Sequence, residues 1–161
     1  MNLEHVDVLI VGAGISGISI AYNIQKSCPS LTYQILEGRE NSGGTWDLFR
    51  YPGVRSDSDM YTLGFTFKPW NKKKSIAQGA DILKYIKSAA KETNIENKII
   101  YNQKVLSANW DEVLKLWQVE ILNLKTNLKK IITSHFYISA TGYYNYEPVS
   151  YTHLRAHETR H

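Results

Sequence analysis

A chain of 161 residues, 43% hydrophobic and 12% aromatic, has the size and composition of one globular domain with a buried core. Its net charge of +4 is dispersed, lysines and arginines alternating with acids, which argues against a nucleic-acid-binding face. No run of about 18 apolar residues is present to cross a bilayer, the N-terminus carries acids where a secretory leader would carry positive charge, and the single cysteine, Cys28, excludes an internal disulfide and fits a reducing, cytoplasmic setting.

The first apolar run, "HVDVLIV", is short, β-branched and nearly continuous, the pattern of a parallel strand covered on both faces. It leads into "GAGISG", in which Gly12, Gly14 and Gly17 are spaced G-x-G-x-x-G. Ile15, Ile18, Ala21, Tyr22 and Ile24 then follow a helical rhythm that should stop near Cys28, before Pro29. A second strand, "YQILE", ends on Glu37, twenty positions after Gly17.

This order of elements is that of a dinucleotide-binding βαβ unit. The first glycine allows a tight turn, the second lets backbone approach a diphosphate, and the third lets helix and strand pack closely. Free N–H groups and the positive dipole end of the helix face the phosphates, and an acid at the end of the second strand accepts from both ribose hydroxyls. A 2′-phosphate there would meet like charge, which favours the adenosine of FAD or NAD over that of NADP at this position.

The stretch from Gly38 to Trp70 is long, rich in glycine, aromatic and charged residues, and aperiodic, as functional loops are. Gly43-Gly44 would let backbone approach a bound ring system, and Trp46 offers a flat packing face. On the residues alone, Trp46 and Tyr51 serve equally well as core aromatics beneath a loop. Lys72, Lys73 and Lys74 read as a solvated loop. "ADILKYIKSAAKETN" reads as an amphipathic helix with Asp81 as its cap and Ile82, Tyr85, Ile86 and Ala89 on its buried face. After it, "KIIYNQKVLSANW", "LWQVEIL", "LKKIITS" and "HFYISA" read as short strands, a small antiparallel meander followed by a strand that rejoins the parallel sheet. Thr141 and Gly142 fall at the end of that strand, where backbone nears a dinucleotide or simply turns.

The stretch "GGTWDLFRYPGVRSDSDMYTLGFTFKPW", with "VDVLIVGAGISGIS", "WDEVLKLWQVEI" and "ATGYYNY", resembles class B flavoprotein monooxygenases, the Baeyer–Villiger and flavin-containing group, nearest the branch that oxidises thioamides. The resemblance covers residues 3 to 147. It implies an α/β, Rossmann-like FAD-binding fold, a parallel sheet with helices plus a small antiparallel β-meander, and an enzyme dependent on FAD, NADPH and O₂ that acts on a small ketone or sulfur compound. By that resemblance Gly12, Gly14, Ser16 and Gly17 would wrap the FAD diphosphate, Glu37 would hold the adenosine ribose, and Val105 would present backbone to the adenine. Thr45, Trp46, Asp47 and Leu48 would line the flavin side. Arg55, Ser56 and Asp57 would border the nicotinamide coenzyme, with Asp57 also at the flavin as the catalytic candidate. On the residues alone, Asp57 would instead cap a short helix in "SDMYTL", with Arg55 as its surface partner.

Family members are about three times this length and carry a second glycine fingerprint, so the chain is expected to be an inactive N-terminal fragment, with residues 1–147 forming the FAD-binding domain. Residues 148–161 match nothing in the family and are expected to be a foreign tail. That tail ends in "HETRH", the H-E-x-x-H pattern in which His157 and His161 would bind zinc beside Glu158. A zinc protease also needs a buried, packed helix and normally a third ligand downstream, so no physiological metal is expected. The remaining alternative is a dinucleotide module that binds NAD or ADP without redox chemistry.

Overall fold

In the computed structural model, residues 4–143 are described; the H-E-x-x-H tail lies outside them. Strand β1 (Glu4–Val11) leads through Gly12–Gly14 into helix α1 (Ile15–Ser27), and strand β2 (Tyr33–Leu36) follows. Helices α2 (Thr45–Leu48) and α3 (Met60–Leu63) are single turns within the long loop, so that loop is less irregular than its composition implies. Helix α4 (Gly79–Glu92) and a 3₁₀ turn (Ile95–Lys98) precede strands β3 (Ile99–Ile100), β4 (Gln103–Asp111), β5 (Leu116–Asn123) and β6 (Lys129–Ser139).

The six strands form one sheet in the order β3-β2-β1-β6-β5-β4. Strands β3, β2, β1 and β6 are parallel, while β6, β5 and β4 are antiparallel. The expected meander and the expected returning strand therefore share β6, one continuous strand where the residue pattern suggested two. Its first half pairs with β5 as far as Ser134, and it pairs with β1 from Ile132 to Ser139.

Two cores flank β1. Val8 and Ile10 pack with Ile18 and Ala21 of α1, Tyr33 and Ile35 of β2, and Ile82, Ile86 and Ala89 of α4. Leu9 and Leu36 instead meet Val119, Ile121 and Ile132, contributed by β5 and β6. Strand alternation sends successive side chains to opposite faces, so a strand buried by helices on one side and by the meander on the other needs apolar residues at consecutive positions. That explains the unbroken "VLIV".

Helix α4 buries Ile82, Tyr85, Ile86 and Ala89, the face its periodicity indicated. Its N-cap, however, is Gln78, and Asp81 lies in the first turn, where a carboxylate favours the helix dipole without capping. Asp81 pairs there with Lys72 at 2.6 Å.

Candidate dinucleotide-binding site

The glycine turn sits at the carboxyl ends of the parallel strands, where open α/β sheets bind ligands. Gly12 has φ +107°, and a Cβ on it would lie 2.5 Å from the Ala140 carbonyl oxygen. A Cβ on Gly17 would lie 2.0 Å from the Gly12 oxygen. The "SATG" turn that ends β6 is thus packed onto the first glycine, and the Ala140 N–H donates to the Val11 oxygen at 2.8 Å.

Helix α1 has Gly14 at its N-cap, which brings no side-chain cap to its first turn. Its leading N–H groups are therefore available to an anion. Ser16 is exposed at this end. Across from it, Gly44 approaches so closely that a Cβ on Gly44 would stand 3.0 Å from the Gly14 Cα. The Gly43 N–H donates to the Ala13 oxygen at 2.9 Å, joining the two glycine turns directly.

Glu37 follows β2 immediately and is buried, 7% exposed. One carboxylate oxygen accepts from the Ala13 N–H at 2.8 Å, and the other accepts from the Arg39 N–H at 3.0 Å. The acid expected to hold a ribose is thus fastened to the middle of the glycine motif. The Gln103 N–H donates to the Glu37 carbonyl at 2.9 Å, bringing the start of β4 alongside. Val105 lies two residues on, half-buried beside a bulge in the β4–β5 register.

The loop residues gather less tightly. Thr45, Trp46, Asp47 and Leu48 form α2, next to the Gly14–Gly44 contact. Trp46 packs against the helix-side core, whereas Tyr51 is 60% exposed and is not a core aromatic. Asp47 is buried, with Arg50 and Lys87 at 3.3 and 3.4 Å from Oδ1. Ser56 is buried and clamps the loop to the start of α4: its N–H donates to the Ala77 oxygen at 2.9 Å and its hydroxyl accepts from the Ala77 N–H at 3.1 Å. Arg55 and Asp57 flank it and are exposed. The residue that caps α3 is Asp59, not Asp57: its carboxylate accepts from the Thr62 N–H at 2.9 Å and the Thr62 hydroxyl at 2.8 Å. Those bonds hold the Asp59 carboxyl below the ordinary carboxylate range.

Sequence reading missed Arg39. Its guanidinium donates to the Gly44 oxygen at 2.8 Å and lies 3.5 Å from Glu37, so it bridges the acid and the second glycine turn. Its other terminal nitrogen, Nη1, is buried without a partner, as is the side-chain oxygen of Gln103. The spacing Glu37-x-Arg39 carries no motif that would have singled it out. A shallow groove along α4, lined by Leu83, Lys84, Lys87 and Lys91 among others, includes none of these cradle residues.

A glycine turn between strand and helix, an uncapped helix start and a buried acid bonded to that turn together define a Rossmann-like dinucleotide-binding fold. Residues 10–73 match the NAD(P)-binding Rossmann-like domain family. In sequence the chain is similar to FAD-containing monooxygenases. It is 52% identical over 144 residues to the FAD-containing monooxygenase EthA of Mycobacterium tuberculosis, and 51% identical to the probable FAD-binding monooxygenase AlmA of an Acinetobacter species. Each match covers 89% of this chain and 29% of the relative, so the chain spans about 29% of the length of the curated relatives it matches. Among solved structures, OTEMO in complex with FAD and NADP superimposes with a TM-score of 0.77 at 28% identity, over 89% of this chain and 27% of that one.

Proposed function

We propose that this chain is the FAD-binding part of a flavin monooxygenase that uses NADPH and O₂, and that the intact enzyme performs Baeyer–Villiger oxidation of ketones or S-oxidation of thioamides and sulfides. On this reading residues 1–147 form the FAD-binding domain and 148–161 are extraneous to it. The observation that carries the reading is the meeting of the Gly12–Gly17 turn with Gly43–Gly44 beside the buried Glu37 carboxylate.

The residues present fit the cofactor. Gly12, Gly14, Ser16 and Gly17 would hold the diphosphate, whose charge the unpartnered Arg39 Nη1 and the first N–H groups of α1 complement. Glu37 would accept from the ribose hydroxyls with the lone pairs left over from Ala13 and Arg39, and Val105 would border the adenine. Thr45, Trp46, Asp47 and Leu48 would lie on the flavin side, and Arg55, Ser56 and Asp57 toward the nicotinamide coenzyme. Bound FAD would supply electron transfer and oxygen activation. The chain's own contribution is binding, orientation and exclusion of water, with Trp46 and the helix-side core closing one flank. Cys28, exposed and free of any disulfide, suits a cytoplasmic setting.

The test is titration calorimetry of the full chain with FAD, ADP and NAD, with flavin absorbance after gel filtration. FAD should bind saturably and more tightly than NAD. Glu37→Gln, which keeps an acceptor for Ala13 but removes the charge, should weaken FAD about 10-fold or more. Binding of NAD with none of FAD would favour the non-redox module, and an unchanged FAD affinity in the variant would remove Glu37 from the site.

A further inference from the structure

At the opposite end of the parallel strands from the glycine cradle, β1 and β6 bring two histidines and an aspartate together. One ligand atom each from His5, Asp7 and His135 lies within 4.8 Å of the others. We propose that these three side chains form a binding site for a divalent metal ion of zinc-like character.

The donor set is the one such ions favour, two imidazoles and one carboxylate, with a position left for water or a further ligand. Bonds of about 2.0–2.2 Å place tetrahedral donors roughly 3.3 Å apart. His135 Nδ1 already lies 3.4 Å from Asp7 Oδ1. The two imidazole rings stand perpendicular with centroids 4.9 Å apart, and both residues are exposed, so small side-chain rotations close the remaining gap.

Neighbouring groups orient the ligands as supports do in built metal sites. Asp7 Oδ2 accepts from the Thr32 N–H at 2.7 Å and the Thr32 hydroxyl at 2.6 Å, which leaves Oδ1 directed at His135. On the other side, the Thr133 hydroxyl lies 3.0 Å from His5 Nδ1, a contact that orients the ring. In the tautomer with its proton on Nδ1, His5 presents at Nε2 the lone pair a metal requires. An ion held here would tie the first residues of β1 to a strand 128 residues later in the chain, fastening the sheet at its open end. This departs from the expectation of no metal, which rested on the tail motif alone.

The chain has five histidines, three of them at 153, 157 and 161, so the test removes those first. Full-length chain carrying His153→Ala, His157→Ala and His161→Ala is titrated with ZnCl₂ by calorimetry and with CoCl₂ by visible absorbance. One saturable equivalent is expected, with cobalt bands of a nitrogen- and oxygen-ligated ion. Adding His135→Asn or Asp7→Asn should weaken zinc at least about 10-fold. His135 is exposed, and asparagine at position 7 keeps an acceptor for Thr32, so circular dichroism should show the fold retained. A second measurement is the melting temperature of the parent, which should rise with zinc and fall back with EDTA. Absence of saturable binding in the triple variant, or equal affinity after His135→Asn and Asp7→Asn, overturns the proposal.

Discussion

The turn at Gly12–Gly17 and the loop from Gly38 to Gln78 both border the candidate site, yet they are held in opposite ways. The turn is defined by what cannot fit: backbone atoms of Gly12 and Ala140 occupy the places where side chains on Gly17 and Gly12 would stand. The loop is defined by what must be attached. Ser56 is bonded to Ala77, Asp59 to Thr62, and the Tyr85 hydroxyl to backbone on both sides of the Phe65–Lys68 bridge. A turn specified by exclusion demands glycine at fixed spacing and so announces itself in the sequence, even where the excluding backbone is the distant Ala140. A loop specified by attachment depends, at Ser56 and Phe65, on partners about twenty residues away that the sequence does not mark.

Substitutions can break that contrast at its strong end first. Gly17→Ala forces a methyl into the Gly12 carbonyl, and overpacking against backbone should cost about 3 kcal/mol, lowering the melting temperature by about 10 °C. A melt unchanged within error would mean that the turn yields, and that exclusion is not what shapes it. On the loop side, Tyr85→Phe keeps the stacking of the ring on Phe65 but strips the hydroxyl that accepts from the Phe65 N–H at 2.7 Å and donates to the Lys68 oxygen. Two backbone groups are then unsatisfied, a loss of about 1–3 kcal/mol by denaturant titration. Equal stability of the variant would mean that packing, not attachment, holds the segment.

The smallest effect concerns acid. Because the Thr62 bonds depress the folded-state value of Asp59, its contribution is fully present above the unfolded-state value of about 3.9 and disappears as pH falls through the folded one. Asp59→Asn, which retains a capping side chain without a titrating group, should therefore show a shallower fall in melting temperature between pH 5 and 2 than the parent. Parallel curves would show that Asp59 does not titrate differently on folding.

The same contrast governs how much could be read in advance. The strand, the glycine turn, α1 and Glu37 were legible because each follows from local sterics or from a period of two or 3.6 residues. The buried face of α4 was legible for the same reason. Caps were misassigned by a few residues, Asp57 for Asp59 and Asp81 for Gln78, because several polar residues near each helix start can cap it and only backbone geometry selects one. The division of β6 into two strands failed because its halves face different surroundings, pairing with β5 near its start and ending against the glycine turn. Arg39 was invisible because its partners, Glu37 and Gly44, become neighbours only once the two glycine turns meet.

The union of β1 with β6 has a consequence for synthesis. Strand β1 has one of its two flanking neighbours in residues 129–139, and the backbone that seats Gly12 is Ala140. Until residues 129–140 have been made, the β1–α1 unit lacks one side of its sheet and the floor of its turn, and contacts so distant along the chain close slowly. A nascent chain paused before β6 would therefore display Leu9 and Leu36 uncovered, a target for the chaperones that recognise greasy extended segments.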